Sequence, residues 1–356
     1  TTSAWATTKT SAEINLGPLQ DNGGPTFTMA LGAGSVAIGA GNTAISNATP
    51  INGKDQRGIN RTTSDIGAYS FGIAVTTTAP SGAGSLDAAI TLANTTPGDD
   101  QIRFNLTGSS SYPITLAAAL PTIIDATSVI LDSNNNPIGT AGTVTIIGLG
   151  ASLLTIDGSQ GGFSIFNIAP GGNLFISGVT VSGANTSSNG GAFNNSGSLT
   201  VTNSTLSGNT AGNGGGFNNS GTLTVSNSTI SGNTANYGGG IYNNLGIVNV
   251  TNSTLSGNTA SLGGGGGIFN GGTLTILTVT NSTLSGNSAA SSGGGIYNNS
   301  GTLTLTNSTL SGNTASLGDG GGIYNISGST TLTTLTNSTL SGNTAGSSGG
   351  GIYNKT

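Results

Sequence analysis

Apolar residues in the second half of the chain recur in short alternating runs, and each run ends at asparagine or glycine. One repeat contains residues 223–225 (Leu-Thr-Val), residues 229–231 (Thr-Ile-Ser) and a third run after several glycines. Such alternation is typical of half-buried β-strands, and none of the runs is long enough for a helix. The pattern therefore predicts three short strands and three turns in each repeat.

Two motifs repeat through this region with a period of 24 to 30 residues. The first is a glycine run followed by a small or aliphatic residue, an aromatic residue and an asparagine, with the aromatic residue at Phe193, Phe217, Tyr242, Phe269, Tyr297, Tyr324 and Tyr353. The second is Asn-Ser-Thr-Leu/Ile-Ser-Gly-Asn, which begins at Asn203, Asn227, Asn252, Asn281, Asn307 and Asn337. A period of this size indicates stacked units, because one unit alone cannot bury its apolar side.

We predict an all-β chain folded as a right-handed parallel β-helix, a solenoid with three short strands in each coil of 24 to 30 residues. Leu206, Ile230, Leu255 and Leu284 should point inward and stack from coil to coil, about 4.8 Å apart. The first asparagine of each motif should occupy a turn, because Asn tolerates the left-handed conformation. Stacked on one another, these asparagines should form a hydrogen-bonded structural ladder.

The seven aromatic residues of the first motif are expected to form one continuous column of rings. If Ile241 and Ile296 face inward, alternation along the strand places the aromatic residues outside. The exchange of Tyr for Phe along the column also suits a buried stack. The sequence leaves both sides open.

The first 190 residues differ in texture from the repeats and divide the chain into three segments. Residues 1–72 are expected to close or cap a β-helix, residues 73–125 to form an N-terminal cap with the first strands, and residues 126–356 to form the β-helix itself. Residues 85–93 predict a short amphipathic helix with Ser85 as its N-cap. This helix would cover the open apolar end of the first coil.

Composition points to an extracellular protein. Charged residues make up 5% of the chain, against about 25% in ordinary soluble domains, and Asp319 is the only one between residues 158 and 354. A net charge of −5 without a basic cluster argues against a nucleic acid partner, and the absence of Cys excludes disulfides. No run reaches the length of about 20 apolar residues that spans a membrane. Because the chain begins at Thr1 without a signal peptide, we expect a mature or excised segment.

Several segments resemble bacterial surface proteins. Residues 16–31, 55–58 and 65–69 resemble the segment that closes the β-helices of the choice-of-anchor Q group, and residues 84–90 with 97–104 resemble the segment that opens them. The Gly-Gly-Ile-Tyr-Asn and Asn-Ser-Thr repeats resemble polymorphic outer membrane protein repeats. The resemblance covers nearly the whole chain and implies a β-helix at the bacterial cell surface. It implies no ligand.

Candidate catalytic groups are sparse. Polysaccharide lyases and hydrolases built on parallel β-helices need two or three carboxylates on one exposed sheet, often with Arg or Lys. Asp125, Asp132 and Asp157 with Arg103 form the candidate set in the early coils, and their spacing does not follow the repeat. We interpret them as turn and cap carboxylates and predict that the chain is not an enzyme.

Cofactor and metal motifs are also missing from the repeats. The glycine runs, such as residues 263–267, lack the Gly-Lys-Ser/Thr ending of a phosphate-binding loop, and no Asp recurs from coil to coil as in calcium-binding β-rolls. Calcium bound at Asp99 and Asp100, or at Asp21, is the alternative. We expect no cofactor.

Glycosylation has two kinds of candidate acceptor. Asparagines followed by Ser-Thr satisfy the N-glycosylation rule at Asn203, Asn227, Asn252, Asn281, Asn307 and Asn337. A role in turns explains the same residues without any sugar. Rows of Thr hydroxyls on the outer faces are an equal candidate for O-linked sugar.

Two functions fit the sequence. The first is a structural subunit of an extracellular filament, fibre or sheath, and the second is a cell-surface adhesin or passenger rod that contacts a receptor or a glycan. Irregular stretches at residues 261–267, 273–279 and 327–335 hold no cluster of aromatic or charged residues, which favours the structural subunit. A polysaccharide-active enzyme is a remote third.

The order of segments predicts that the chain polymerises with itself. The closing segment, residues 1–72, precedes the opening segment at Gly84, which leaves the coils around residues 310–353 without a cap of their own. Unpaired strand edges are templates for another chain. We expect residues 1–72 of one subunit to complete the C-terminal coils of the next, head to tail. The alternatives are a segment folded back along its own helix, or one period of a longer tandem array.

Overall fold

The structure, a computed structural model, describes the chain over most of its length: residues 10–20, 28–31, 35–38, 40, 55, 72–96, 98–124, 127–131, 135, 137–272, 274–326 and 332–355. Two compact units result. The first comprises Thr1–Tyr112 with Ala126–Ile147, and the second comprises Pro113–Asp125 with Gly148–Thr356. The segments predicted from sequence, 1–72, 73–125 and 126–356, divide the chain by role and stay predictions.

The first unit begins with a small helix and a hairpin. Helix α1 (Ser11–Ile14) starts at Thr10, whose side chain accepts a hydrogen bond from the Glu13 amide while the Glu13 carboxylate accepts one from the Thr10 amide. This reciprocal cap satisfies two amides that the helix leaves without partners. Strands β1 (Leu16–Gln20) and β2 (Thr28–Leu31) follow and pair antiparallel.

A group of strands backed by one helix forms another part of the first unit. Its strands are β3 (Ile73–Val75), β4 (Gly98–Phe104), β6 (Val129–Leu131) and β7 (Pro137–Ile147), with β3, β4 and β7 parallel and β6 antiparallel to β7. Helix α2 (Leu86–Ala93) packs on β3, β4 and β7. Its N-cap is Ser85, whose Oγ accepts from the Ala88 amide at 3.1 Å, so the predicted helix and cap are confirmed. The covering of a first coil by this helix stays a prediction.

The second unit is the predicted parallel β-helix, which is confirmed. Each full coil passes through four parallel sheets, which we call A, B, C and D in chain order. Sheet A contains β10 (Asn173–Ser177), β13 (Ser198–Thr202), β17 (Thr222–Ser226), β21 (Ile247–Thr251), β25 (Ile276–Thr280), β29 (Thr302–Thr306) and β33 (Thr333–Thr336). Sheet B contains β5 (Tyr112–Thr115), β8 (Leu154–Asp157), β11 (Thr180–Ser182), β14 (Thr205–Ser207), β18 (Thr229–Ser231), β22 (Thr254–Ser256), β26 (Thr283–Ser285), β30 (Thr309–Ser311) and β34 (Thr339–Ser341).

The other two sheets complete the coils. Sheet C contains β15 (Thr210–Asn213), β19 (Thr234–Tyr237), β23 (Thr259–Ala260), β27 (Ser288–Ala289), β31 (Thr314–Ala315) and β35 (Thr344–Ala345). Sheet D contains β9 (Phe166–Ile168), β12 (Phe193–Asn195), β16 (Phe217–Asn219), β20 (Ile241–Asn244), β24 (Ile268–Gly271), β28 (Ile296–Asn299), β32 (Ile323–Ile326) and β36 (Ile352–Lys355).

Equivalent residues of successive coils pair in register, and this alignment builds the core. In sheet B, Leu206 pairs with Ile230, Ile230 with Leu255, and Leu255 with Leu284, and all four side chains are fully buried. The predicted inward stack is confirmed. Residues on either side, Thr and Ser in each strand, face outward.

Sheet C corrects the predicted count of three strands in each coil. Most of its strands are two residues long, a Thr or Ser followed by an inward-facing Ala such as Ala260 or Ala289. Two residues cannot display an alternating pattern, so this stretch resembles a turn in the sequence. The small alanine lets the chain bend sharply at this corner of the coil.

A glycine fixes the start of each sheet D segment. Gly238, at φ +60°, is one of a series of left-handed glycines that lie three residues before the sheet D strand, and a Cβ there would lie 2.4 Å from the carbonyl oxygen of Ile241. No other residue type fits that position without moving backbone. Each residue of the sheet D strand therefore lies at a fixed number of positions after this glycine.

Candidate functional site

The asparagines predicted to form a ladder lie on the surface. Asn203, Asn227, Asn252, Asn281, Asn307 and Asn337 are exposed and left-handed, with φ between 48° and 50°. The predicted conformation is confirmed, and the side-chain ladder is short. Among the described residues it has two steps, from Asn281 Nδ2 to Asn252 Oδ1 at 3.3 Å and from Asn307 Nδ2 to Asn281 Oδ1 at 3.2 Å.

Two continuous asparagine ladders lie inside the coil, where the sequence predicted apolar residues. One joins the last asparagine of each Asn-Ser-Thr motif by Nδ2 to Oδ1 bonds of 2.9 Å: Asn209, Asn233, Asn258, Asn287, Asn313 and Asn343. The other joins residues of sheet D at 2.7 to 2.8 Å: Asn195, Asn219, Asn243, Asn270, Asn298 and Asn325. The signal for both was present in the sequence, because each asparagine recurs at a fixed distance from an inward aliphatic residue.

The serine of each Asn-Ser-Thr triplet is a further buried link between coils. Ser228 Oγ accepts from the Ser204 amide at 3.2 Å and donates to the Ser226 carbonyl at 2.8 Å, and later coils repeat the arrangement. The motif thus has a structural role at its serine and its last asparagine. Its first asparagine is accessible, and glycosylation there stays a prediction.

The structure divides the seven predicted aromatic residues between two columns and so corrects the single stack. Phe193 and Phe217 are fully buried, and the ring centroid of Phe193 lies 4.8 Å from that of Phe166 and 5.2 Å from that of Phe217. Phe217 pairs in register with Ile241 of the next coil. The remaining five lie on the outer face of sheet D: Tyr242, Phe269, Tyr297, Tyr324 and Tyr353. The change occurs because the aromatic residue shifts by one position in the strand. In the first coils Phe occupies the inward position, whereas in later coils Ile occupies that position and the aromatic residue follows it on the outer face.

Neighbouring rings of the outer column are close enough to stack. From Tyr242 to Tyr324, the centroids of each neighbouring pair of rings lie 4.9 Å apart. At the last step, from Tyr324 to Tyr353, they lie 5.6 Å apart. Tyr237 of sheet C meets Phe269 edge to face at 5.9 Å. Stacked and edge-on pairs of this kind add stability beyond their buried area, about 0.5–1.5 kcal/mol each.

Burial of the outer column changes the acidity of its phenols. Burial, followed by the charges of Tyr324 and Tyr237, raises the pKa of Tyr297 to about 12. Burial and Tyr237 raise the pKa of Tyr242, and burial, Asp319 and Tyr353 raise that of Tyr324. The hydroxyl groups of Tyr242, Tyr297 and Tyr324 therefore stay neutral across physiological pH.

The structure describes two members of the predicted acidic set, Asp157 and Arg103, each with its own local partner. Asp157 ends β8, where its carboxylate accepts from the amide and hydroxyl of Ser159 at 3.0 and 2.9 Å, as expected of a turn carboxylate. Arg103 lies in β4, where its Nε donates to Gln101 Oε1 at 2.8 Å. Asp125 and Asp132 lie outside the described residues.

Of the residues considered as an alternative calcium site, Asp99 makes a hydrogen bond to the backbone. Asp99 Oδ1 accepts from the Thr143 amide at 2.8 Å, and Asp100 is buried. Asp21 lies outside the part of the chain that the structure describes. Within that part, no group of three or more His, Cys, Asp or Glu side chains is placed to hold a metal ion, and no helix is long and apolar enough to cross a membrane.

A polar cleft of about 440 Å³ opens in the early coils of the second unit. Its walls come from the loop after β8, the loop after β11 and the outer face of sheet D, and include Phe163, Ser164, Asn167, Thr186, Asn189 and Asn194. Sequence reasoning missed it, because Phe163, Ser164 and Asn189 come from two loops that do not follow the repeat. The available signal for the cleft was a pair of residues, Phe163 and Asn167, that lies one coil before the pair Asn189 and Asn194.

One comparison with known proteins gives a match. Residues 281–299 and 337–355 match the family model of the Chlamydia polymorphic membrane protein repeat. Each matched stretch runs from an exposed asparagine of sheet B's leading turn through the sheet D strand. No curated protein and no solved structure matches the chain significantly. The matched repeats and the β-helix together indicate a bacterial surface protein of passenger or adhesin-like type.

Proposed function

We propose that the chain is a non-catalytic β-helical scaffold displayed outside a bacterial cell, where its outward side chains contact other molecules. The observation that carries this proposal is the match of two coils to a membrane protein repeat in a unit whose other coils repeat the same arrangement. The buried asparagine amides and serine hydroxyls form hydrogen bonds between successive coils. Their outer faces stay available for binding.

Surface labelling of producing cells tests the display. Antibodies raised against the purified chain should label intact cells, and a brief protease treatment of intact cells should remove the label. A cytoplasmic protein serves as the control, because it should become labelled only after the cells are permeabilised. Labelling that requires permeabilisation, as for that control, would overturn the proposal.

We further propose that such scaffolds associate head to tail into a filament through residues 1–72 and the C-terminal coils. Support comes from the order of segments in the sequence, where residues 1–72, which resemble a closing segment, precede the segment at Gly84 that resembles an opening one. The coils of the second unit pair in parallel and in register, and such coils can take up a strand from another chain.

Electron microscopy with two variants tests the filament. The purified chain should form filaments at high concentration, and removal of residues 1–72 should leave particles that do not polymerise. Ile352→Lys should also prevent association, because it places a charge in the proposed contact, while Leu262→Lys, at an exposed loop residue, should not. Filaments of unchanged repeat from the shortened chain, or a chain that stays monomeric, would contradict head-to-tail assembly.

A further inference from the structure

The polar cleft in the early coils has a lining that suits a neutral ligand. None of the described residues that line it is ionisable, and its volume of about 440 Å³ falls in the usual range for small-ligand sites, about 300–1,000 Å³. A charged ligand would lose hydration there without gaining an opposite charge. Amide and hydroxyl groups instead both donate and accept hydrogen bonds, as sugar hydroxyls do.

Two asparagines of the cleft are held in fixed orientations by the next coil. Asn213 Nδ2 donates to Asn189 Oδ1 at 2.9 Å, and Asn218 Nδ2 donates to Asn194 Oδ1 at 2.8 Å. No described residue accepts a hydrogen bond from Asn189 Nδ2, and Asn194 Nδ2 makes only a long contact of 3.5 Å with Asn167. Each side chain therefore keeps N–H hydrogens for a ligand in a geometry set before binding.

The loops of the cleft are fixed as well. Ser164 Oγ donates to the Asn189 carbonyl at 2.9 Å, which ties the two loops together, and Thr186 Oγ1 accepts from the Ser188 amide at 3.1 Å. Phe163 lies over Gly161, where a Cβ would come within 1.9 Å of the ring. The ring adds an apolar face beside the amides, and an apolar face with nearby hydrogen-bond donors suits the two faces of a pyranose ring.

The β-helix itself does not require this arrangement. In register with Asn213 the next coil carries Tyr237, and in register with Asn218 it carries Tyr242. Tyr237 packs edge-on against Phe269, so aromatic rings occupy in later coils the space that amides border in the early ones. The amide lining is therefore a local feature of the early coils.

We infer that the cleft lined by Phe163, Asn189 and Asn194 binds a neutral oligosaccharide. The two amides donate to hydroxyl or ring oxygens of the sugar, and Phe163 packs against its apolar face. This inference deepens the proposed surface function by giving it a ligand class. The inference rests on the proposed surface display only for the place where the protein encounters the ligand, outside the cell.

A glycan array probed with the purified full chain tests the inference. The array carries neutral oligosaccharides of hexoses and N-acetylhexosamines beside oligosaccharides that contain uronic or sialic acid. Binding to neutral members, followed by titration calorimetry with the best of them, is the expected result. A blank array, or binding confined to the acidic members, would overturn the inference.

Matched variants locate the binding. Phe163→Ala and Asn189→Asp should each raise Kd about tenfold or more, because the first removes the apolar face and the second replaces the donor by an acceptor. Phe175→Ala and Asn249→Asp, on the outer face of sheet A, make the same chemical changes away from the cleft and should leave Kd unchanged. Circular dichroism checks that each variant is folded. Equal affinity in cleft variants and controls would place the binding elsewhere and refute the cleft.

The outcomes of this test and of the surface test are separable. Labelled intact cells with a blank array would refute the glycan site and leave surface display standing. Neutral-glycan binding by a protein that is labelled only in permeabilised cells would support the cleft and refute surface display.

Discussion

Asparagine occupies chemically different positions in each coil, although its neighbours in the sequence look alike. The first asparagine of the Asn-Ser-Thr motif is exposed and left-handed, whereas the last one, as at Asn258, is fully buried and hydrogen-bonded to the coils on both sides. A buried amide that loses its partners costs about 1–3 kcal/mol, whereas an exposed one is satisfied by water. The two positions should therefore respond differently to substitution.

Asn258→Ala should destabilise the β-helix by about 3 kcal/mol, because it leaves several buried groups without partners. Asn258 Oδ1 accepts from the amide and Nδ2 of Asn233, and its Nδ2 donates to the Ile230 carbonyl. Urea unfolding followed by circular dichroism measures the loss. The control is Asn252→Gly, which keeps the left-handed turn at an exposed site and should be nearly neutral. Equal effects of the two changes would contradict the buried ladder.

Tyr297 should make the fold sensitive to alkaline pH. Its pKa is about 12 in the folded chain and about 10 when unfolded, so the folded state holds its proton more tightly. The resulting stability is fully present below pH about 10 and is lost as the pH rises through about 12. Titration of tyrosinate absorbance should show a late-ionising group that Tyr297→Phe removes. The idea fails if Tyr297→Phe removes a group that titrates together with the tyrosines of the urea-unfolded chain.

Strands of three to five residues carry the fold at the next scale, and alternation decides which side chains are buried. In β22, Leu255 is fully buried between Ile230 and Leu284, whereas Ser256 beside it faces outward. One step along the strand thus exchanges core for solvent. This contrast permits a test within a single strand.

Leu255→Asp should cost more than about 3 kcal/mol, because it places a carboxylate in an apolar column without a partner. Ser256→Asp adds the same charge at the adjacent outward position and should change stability by less than about 0.5 kcal/mol. Thermal unfolding of the two variants and the parent gives the comparison. Similar melting temperatures for both variants would be incompatible with the alternation described for β22.

The sequence predicted the apolar columns, and it missed the features that alternating apolar residues do not mark, among them the two buried asparagine ladders. Leu206 and its equivalents recur in each motif, so the inward stack and the β-helix followed directly. Phe193 and Tyr242 both follow glycine runs, and only a count from the left-handed glycine reveals that one faces inward and the other outward. The cleft was not predictable from periodicity, because Phe163 and Asn189 meet only when two non-repeating loops stack.

In the second unit as a whole, each coil contacts chiefly the coils before and after it. Stability of such an array is close to a sum over coils and their interfaces. The pairing register holds although the repeats differ in length, because loops such as residues 261–267 take up the extra residues while the strands stay aligned. Whole coils should therefore be removable.

Deletion of residues 204–227 should give a folded β-helix that is one coil shorter. The deletion joins Asn203 to Ser228 and removes Ser226, which lies between Thr202 and Thr251 in sheet A. Thr202 would then pair directly with Thr251. Deletion of residues 204–228 removes one residue more, which shortens the turn and drives Ile230 toward the outer face. Circular dichroism and urea unfolding should show a cooperative fold for the first deletion and marked loss for the second. Loss of folding in both would contradict the independence of the coils.

The in-register asparagine and leucine columns also have a consequence for the gene. DNA that encodes near-identical coils is prone to unequal recombination, which inserts or removes whole repeat lengths. Because a gain or loss of one complete coil leaves every column aligned, such alleles should encode folded proteins, whereas those that break a coil should not. Natural variants are therefore expected to differ in coil number, and the outward surface can lengthen or shorten over generations without any new fold.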